Sequence, residues 1–103
     1  MLVVHIVEHG ATEREGQGKE HLTNAGSLHA SLLATTYKNP ALKVIGIRHA
    51  PVWASQATAN IVAKPLGLKP EMVPTLSRAN AAQYAASLQE DLAGEHGDIV
   101  LVV

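Results

Sequence analysis

Short apolar runs alternate with longer segments of helical periodicity along this chain. The runs at residues 2–7, 43–47 and 98–103 are rich in β-branched side chains and unbroken by charge over most of their length, which is typical of strands buried on both faces. Between them, apolar residues recur at spacings of three and four positions, as on one face of an α-helix. The predicted order is β-α-β-α-(β)-α-β, which favours a parallel sheet with helices on both faces.

Capping residues set the first predicted helix. Thr23 is a suitable N-cap, and the helix is expected to run to about Tyr37, before Asn39-Pro40 breaks the chain. The predicted apolar face of this helix consists of Ala25, Leu28, Leu32 and Leu33. The preceding segment, residues 10–20, is predicted to be an exposed and mobile loop because it combines glycine with charged residues.

Proline, glycine and capping residues also set the bounds of the predicted elements in the second half of the chain. A helix is predicted from Val52 to about Lys64, where Pro65 would clash with the preceding turn. Pro74 restricts residues 71–76 to a short edge strand. A capping-box pattern, Asn80 with Gln83, opens the third helix, and Gly94 closes it. The apolar face of this helix is predicted to carry Tyr84, Ala85, Leu88 and Leu92.

Composition narrows the class of protein. The 103 residues are predicted to form one domain, residues 1–103, and have a net charge of −1 with acidic and basic residues interspersed, which argues against nucleic acid and anionic membranes as partners. No apolar run approaches the roughly 20 residues of a membrane span. The absence of cysteine leaves the redox compartment open. With no leader-like start and no membrane span, a soluble cytoplasmic protein is expected, and no cofactor is implied.

Four blocks of the sequence, in order, resemble the histidine-phosphatase (phosphoglycerate-mutase-like) superfamily. His9-Gly10-Ala11-Thr12-Glu13 is similar to the R-H-G-x-T-E signature, and residues 22–26 follow L-T-x-x-G. Residues 50–59 follow S-P-x-x-R-A-x-x-T-A, with Leu-Gly-Leu at residues 66–68. Residues 98–103 resemble the strand that delivers a second His-Gly. The resemblance implies a three-layer α/β/α sandwich with a small, mainly parallel sheet that lacks the family's last strands.

The resemblance also implies roles for individual residues. His9 matches the nucleophile that accepts a phosphoryl group, and Gly10 and Thr12 match their counterparts beside it. Glu8 stands where the family has its first arginine, and Ala54 where it has its second. Phosphoryl transfer depends mainly on positioning and positive charge, so the resemblance implies a catalytically inactive or severely impaired binding or scaffolding module. The alternative is a residual phosphatase acting on phosphohistidine or small phosphate esters through His9.

Several candidate residues bear on the charge of this site. Arg78 replaces the family's acid, and its exchange of sign with Glu8 predicts an ion pair across the former phosphate position. Arg48 and His49 end the second strand and are candidates to supply a cation. A metal site from Glu8, His9 and His49 is a further alternative, since carboxylate and imidazole suit zinc. Phosphate or a small phosphorylated molecule is the expected ligand.

The family's strand order predicts the partner surface. It resembles 3-2-4-1, so the last strand of this chain would insert between the first two and leave residues 2–7 at an edge. Unpaired strand edges invite pairing with another chain. A homodimer through the exposed sheet edge or face is therefore expected, and a purely structural subunit that pairs with a different partner is the third functional class.

Overall fold

A computed structural model describes residues 1–15 and 19–103. A short 3-10 helix, Lys64–Leu66, follows the second α-helix. The remaining elements are β1 (Leu2–Val7), β2 (Thr12–Glu15), β3 (Lys19–Leu22), α1 (Asn24–Tyr37), β4 (Val44–His49), α2 (Trp53–Ala63), β5 (Glu71–Met72), α3 (Ala81–Asp91) and β6 (Gly97–Val102).

The main sheet has four strands in the order β1-β6-β4-β5, and every pairing in it is parallel. β6 pairs with β1 along its whole length, from Leu2 opposite Gly97 to Val7 opposite Val102. On its other side β6 pairs with β4, with one irregularity between Val44 and Gly46. The predicted order is confirmed: the last strand lies between the first two, and β1 is an edge.

Helices cover both faces of this sheet, which confirms the predicted three-layer α/β/α fold. On one face α3 packs on β1 and β6 through Ala81, Ala85 and Leu88. On the other face, α1 and α2 contribute Tyr37, Ala59 and Val62. Because helices cover both faces, residues 98–103 of the central strand and its end are all buried. Among the described residues, no helix has the length and apolar character needed to cross a bilayer.

The predicted apolar face of α1 is confirmed at Leu33, which packs against the core, and is wrong at Ala25, Leu28 and Leu32. Leu28 and Leu32 are 60% and 59% exposed, whereas the buried residues of the helix are Gly26, Ala30 and Tyr37. A Cβ atom placed on Gly26 would lie 2.1 Å from the carbonyl oxygen of Ala11. The start of the helix therefore packs through Gly26, because the lack of a side chain there lets its backbone approach the loop after β1.

The segment predicted as a loop contains two strands. β2 and β3 form an antiparallel ribbon in which Thr12 lies opposite Leu22 and Glu13 opposite His21. The side chains of Glu13 and His21 bond across the ribbon at 3.0 Å. A ribbon this polar has no apolar alternation by which the sequence could have revealed it. The middle of the predicted loop, residues 16–18, lies outside the described residues, so its predicted mobility stays a prediction.

The predicted capping box of α3 does not form. The Asn80 side chain accepts a hydrogen bond from the Ser77 backbone N–H at 2.8 Å and donates to the Thr75 carbonyl, so it stabilises the turn before the helix. The helix ends at Asp91 rather than beside Gly94. The edge strand β5 is confirmed in position, but it is only two residues long.

A buried polar cluster ties the starts of β4 and β6 to β1. The Asp98 carboxylate accepts hydrogen bonds from His5 Nε2 at 2.8 Å and from the Lys43 backbone N–H at 3.0 Å. The hydrogen bond from His5 is the main cause that holds the pKa of Asp98 below its ordinary value. Burial, followed by the charge of Asp98, raises the pKa of Tyr37, whose ring meets that of His5 edge-on. His5 is therefore a partly buried histidine whose ring is fixed by its hydrogen bond to Asp98.

The close packing at Gly26 generates a stability prediction. Gly26→Ala is expected to lower the free energy of unfolding by about 2–4 kcal/mol, because its methyl group would overlap main-chain atoms that cannot rotate away. Gly94→Ala is the matched control, since nothing lies within 4 Å of a Cβ there, and it should change stability by less than about 0.5 kcal/mol. Urea denaturation measures both. Equal effects of the two substitutions would contradict the proposed contact.

Candidate functional site

The candidate site lies where the carboxyl ends of β1, β4 and β6 meet. The His9 backbone N–H donates to the Val103 carbonyl at 2.8 Å, and the Ala50 N–H donates to the Val102 carbonyl at 3.0 Å. The loops that follow β1 and β4 are thus fixed to the end of the same central strand. This is the edge at which open α/β sheets bind ligands.

Two helices position the loop after β1. The Gly10 backbone N–H donates to Thr58 Oγ1 of α2 at 2.9 Å, and a Cβ on Gly10 would lie 2.4 Å from the Gly26 carbonyl oxygen of α1. As predicted, Thr23 caps α1, and its hydroxyl accepts from the Gly26 N–H at 2.9 Å. Gly10 is therefore held between two helices, and it in turn fixes the backbone of His9.

The hydrogen bond of the His9 ring determines which nitrogen can react. Nδ1 lies 2.7 Å from the Gly10 carbonyl oxygen, which can only accept, so Nδ1 carries the proton. In the neutral ring, Nε2 then holds the lone pair. His49 has the same arrangement, with Nδ1 2.8 Å from the Ala50 carbonyl, but its side chain is buried.

Glu8 and Arg78 form the ion pair that the exchange of charges predicted. Arg78 Nη2 lies 3.4 Å from Glu8 Oε1. The two side chains are 69% and 65% exposed, so the pair neutralises the surface beside His9 without closing it. Exposed pairs of this kind contribute roughly 0–1 kcal/mol to stability. His29 also contacts Glu8, because its Nε2 donates to the Glu8 main-chain carbonyl at 2.9 Å.

The start of α2 also faces this edge, because the helix follows directly on the end of β4. Ala54, which stands at the second arginine position, is buried and brings no charge. The N-cap residue Val52 offers no side-chain hydrogen bond, so the first N–H groups of the helix keep their partial positive charge. The buried Ser55 hydroxyl, one residue further on, has no hydrogen-bond partner among the described residues.

The structure does not bring the remaining candidate residues together beside His9. Arg48 donates to the Tyr84 hydroxyl of α3 at 2.8 Å and lies 3.8 Å from Glu71, so its guanidinium group is engaged away from His9. Thr12 belongs to β2 and is half-buried. In the described part of the chain, no three carboxylate or imidazole side chains come together to hold a metal ion, so the alternative of a metal site from Glu8, His9 and His49 is wrong.

Sequence reasoning missed three contributors to the site. Thr58 lies inside a block that resembles the family motif, but only the structure identifies Gly10 as its partner. His29 is exposed and bonds the backbone of Glu8, a contact that the sequence did not indicate. Ser55 gave no signal at all, because a lone serine in a helix is more often exposed.

Comparison with known proteins supports the fold. Neither a protein-family profile nor a curated protein sequence matches this chain. Solved structures do match: the protein histidine phosphatase SixA complexed with tungstate superposes with a TM-score of 0.75 at 20% identity, over 96% of this chain and 67% of the other. The fold is therefore that of the histidine phosphatases.

Two further structures agree. A protein from Escherichia coli, assigned as an alpha-ribazole-5'-P phosphatase, has a TM-score of 0.63 at 15% identity over 96% of this chain and 72% of its own. A protein from Agrobacterium tumefaciens, assigned as the phosphohistidine phosphatase SixA, has a TM-score of 0.64 at 16% identity, over 97% of this chain and 66% of its own. The chain thus spans about two thirds of the length of the chains it matches.

The contact between Thr58 and Gly10 can be tested by a pair of substitutions. Thr58→Val keeps the shape of the side chain but leaves the buried Gly10 N–H without an acceptor, which is expected to cost about 1–3 kcal/mol of unfolding free energy. Ser55→Ala, three residues away, should leave stability unchanged or raise it by up to about 1 kcal/mol, because it removes a buried hydroxyl that has no partner. Denaturant unfolding gives both values. If Ser55→Ala proved the more destabilising, the hydrogen-bond assignment would be wrong.

Proposed function

We propose that this chain is a histidine-phosphatase-like binding or scaffolding module with little or no phosphoryl transfer of its own. The observation that carries the proposal is the Glu8–Arg78 ion pair beside His9. It puts a carboxylate where the family has an arginine and engages the Arg78 guanidinium group with that carboxylate. Buried Ala54 removes the second expected arginine.

The magnitudes favour loss of catalysis. A hydrogen bond from arginine to a charged group is worth roughly 1.5–3 kcal/mol, so two missing arginines slow transfer by about 100-fold to 10,000-fold. A carboxylate about 4 Å from a phosphate adds roughly 4 kcal/mol of repulsion at an effective dielectric constant near 20. Arg78 offsets part of this repulsion, but it does not restore an excess of positive charge.

The ligand we propose is phosphate or a small phosphorylated molecule, held weakly. The uncapped start of α2 supplies N–H groups with partial positive charge, which is the arrangement that favours anions at helix N-termini. Tungstate, a phosphate mimic, is bound in the structure of SixA that this chain resembles. A weak anion site agrees with a binding role better than with a reaction that must stabilise additional charge.

A residual phosphatase acting on phosphohistidine or small phosphate esters is the second candidate. It is favoured by the His9 ring, whose Nδ1 proton is committed to the Gly10 carbonyl at 2.7 Å and which therefore directs its lone pair to Nε2. Such a nitrogen can form a bond to phosphorus while the bond to the leaving group breaks, which is a P–O bond in a phosphate ester and a P–N bond in phosphohistidine. This candidate also requires a cation beside His9 to bind the phosphoryl group, and Arg78 is already paired with Glu8.

For the scaffolding role we propose a homodimer through β1. In the described residues β1 pairs with β6 alone, so its outer edge has no strand beside it. Val3 and Ile6 are 42% and 46% exposed, and the strand carries no acidic, lysine or arginine side chain that would oppose pairing. Two copies related by a twofold axis can join these edges antiparallel, so that the two sheets become one.

Catalysis is tested by hydrolysis and anion binding together. The chain is expected to release phosphate from phosphohistidine no faster than its His9→Ala variant does. Glu8→Arg, an exposed substitution that needs no repacking, should tighten tungstate binding by roughly tenfold or more, because it replaces repulsion with attraction. Arg78→Lys is the control that keeps the charge opposite Glu8. Phosphate release that exceeds the uncatalysed rate and disappears in His9→Ala would overturn the proposal in favour of the second candidate.

The dimer is tested by mass in solution. Light scattering coupled to size exclusion should give about twice the 10.9 kDa of one chain. Ile6→Lys should return the monomer, because a charge at the joined edges would be desolvated without a partner. Val52→Lys is a control of similar exposure that lies away from β1. A single monomeric species at millimolar concentration would refute the pairing.

A further inference from the structure

A groove that encloses about 420 Å³ lies along the outer side of β4, away from His9. It is lined largely by residues near the starts of β4 and β6 and by the chain after α3, among them Ile45, Ile99 and Leu92. These positions are at the end of the strands opposite to His9. Of the residues considered for the phosphate site, only Arg48 reaches the groove.

The groove exists because two elements stop short. β5 pairs with β4 only at Arg48 and His49, so in the described structure residues 44–46 have no strand on the side facing away from β6. α3 packs chiefly over β1 and leaves Ile45 half-buried. An exposed stretch of strand with free main-chain donors and acceptors is a template for an added strand.

Charge around the groove is uneven. Arg48 and Glu71 lie 3.8 Å apart and neutralise each other at one end. Lys43 and Lys69 line the rest, and neither has an ion-pair partner among the described residues. Glu95 is the remaining acid among the lining residues. The apolar floor therefore has a rim that attracts anions.

We infer that this groove binds an extended, acidic segment of another protein as an additional β-strand beside β4. Main-chain hydrogen bonds to residues 44–46 supply affinity, and alternate apolar side chains of the segment cover Ile45 and Ile99. Its carboxylates meet Lys43 and Lys69. None of the residues in this argument belongs to the loop after β1 that carries His9. The inference therefore stands whether or not the candidate site at His9 binds phosphate.

Three blocked synthetic peptides test the inference on the full chain. The first alternates valine and glutamate over about eight residues; the second replaces glutamate with lysine; the third keeps the acidic sequence but carries an N-methyl group on every residue, so that neither edge can donate. Nuclear magnetic resonance of the ¹⁵N-labelled chain should show shifts and slowed amide exchange at Ile45, Gly46 and Ile47 with the first peptide. The other two are expected to bind at least about tenfold more weakly, because they lose the charge match or the strand pairing.

Substitutions in the protein complete the test. Gly46→Leu should abolish binding, because a Cβ there meets only Ile99 Cγ1 at 3.8 Å, so the fold has room for it while its side chain enters the groove. Lys43→Glu should weaken the acidic peptide roughly tenfold. Lys38→Glu, an exposed substitution outside the groove, is the matched control and should leave affinity unchanged.

Four results would overturn the inference. Equal binding of the N-methylated peptide would mean that no strand forms. Equal binding of a blocked Val-Glu dipeptide would mean that the groove is a small-anion site. Shifts centred on β1 would place the peptide on the other sheet edge, and insensitivity to both Lys43→Glu and Gly46→Leu would exclude the groove altogether.

Discussion

The pairing of β6 between β1 and β4 is the constraint on which both the fold and the site depend. Its residues are buried from Asp98 onward, so its main-chain groups must find their partners on the two neighbouring strands. At its end, the carbonyl groups of Val102 and Val103 accept from Ala50 and His9. The last strand in the sequence therefore fixes the geometry of a loop that begins with the first strand. A shift of register in β6 would move the two halves of the candidate site relative to each other.

The site that β6 holds together is well ordered in its backbone but poor in positive charge. Gly10 is fixed by the Thr58 hydroxyl and by its close approach to Gly26, which gives the His9 ring a defined orientation. The two arginines whose side chains the structure describes are both engaged: Arg78 faces Glu8, and Arg48 bonds Tyr84. The proposed binding role rests on this engagement of the arginines, since catalysis depends on charge that is placed for the transition state.

The two open edges of the sheet differ in character, and this difference suggests different partners. β1 offers a strand without charged lysine, arginine or acidic side chains, in which Val3 and Ile6 are exposed, and such an edge is compatible with a second copy of itself. The β4 edge is shorter and lies under the lysine side chains of a groove, which repel an identical edge but attract acidic chains. A molecule with both edges occupied would carry a partner segment on each outer side of a paired sheet. The candidate phosphate site, at the carboxyl ends of the strands, would remain accessible in that arrangement.

The sequence by itself determined the elements of the main sheet and its helices, their order and, through the family resemblance, the loss of the arginines; it did not reveal the β2–β3 ribbon. β-branched runs and capping residues act over a few positions, so β1, β6 and the start of α1 at Thr23 could be predicted, and the family's blocks supplied the strand order and the Glu8–Arg78 pair. Only the tertiary structure decided which side of α1 is buried, because the close approach of Gly26 to Ala11 outweighs the burial of Leu28 and Leu32. The tertiary structure also decided that Arg48 bonds Tyr84 of α3, and that a groove lies beside β4 where β5 ends. These outcomes depend on contacts between residues far apart in the chain, which no local pattern encodes.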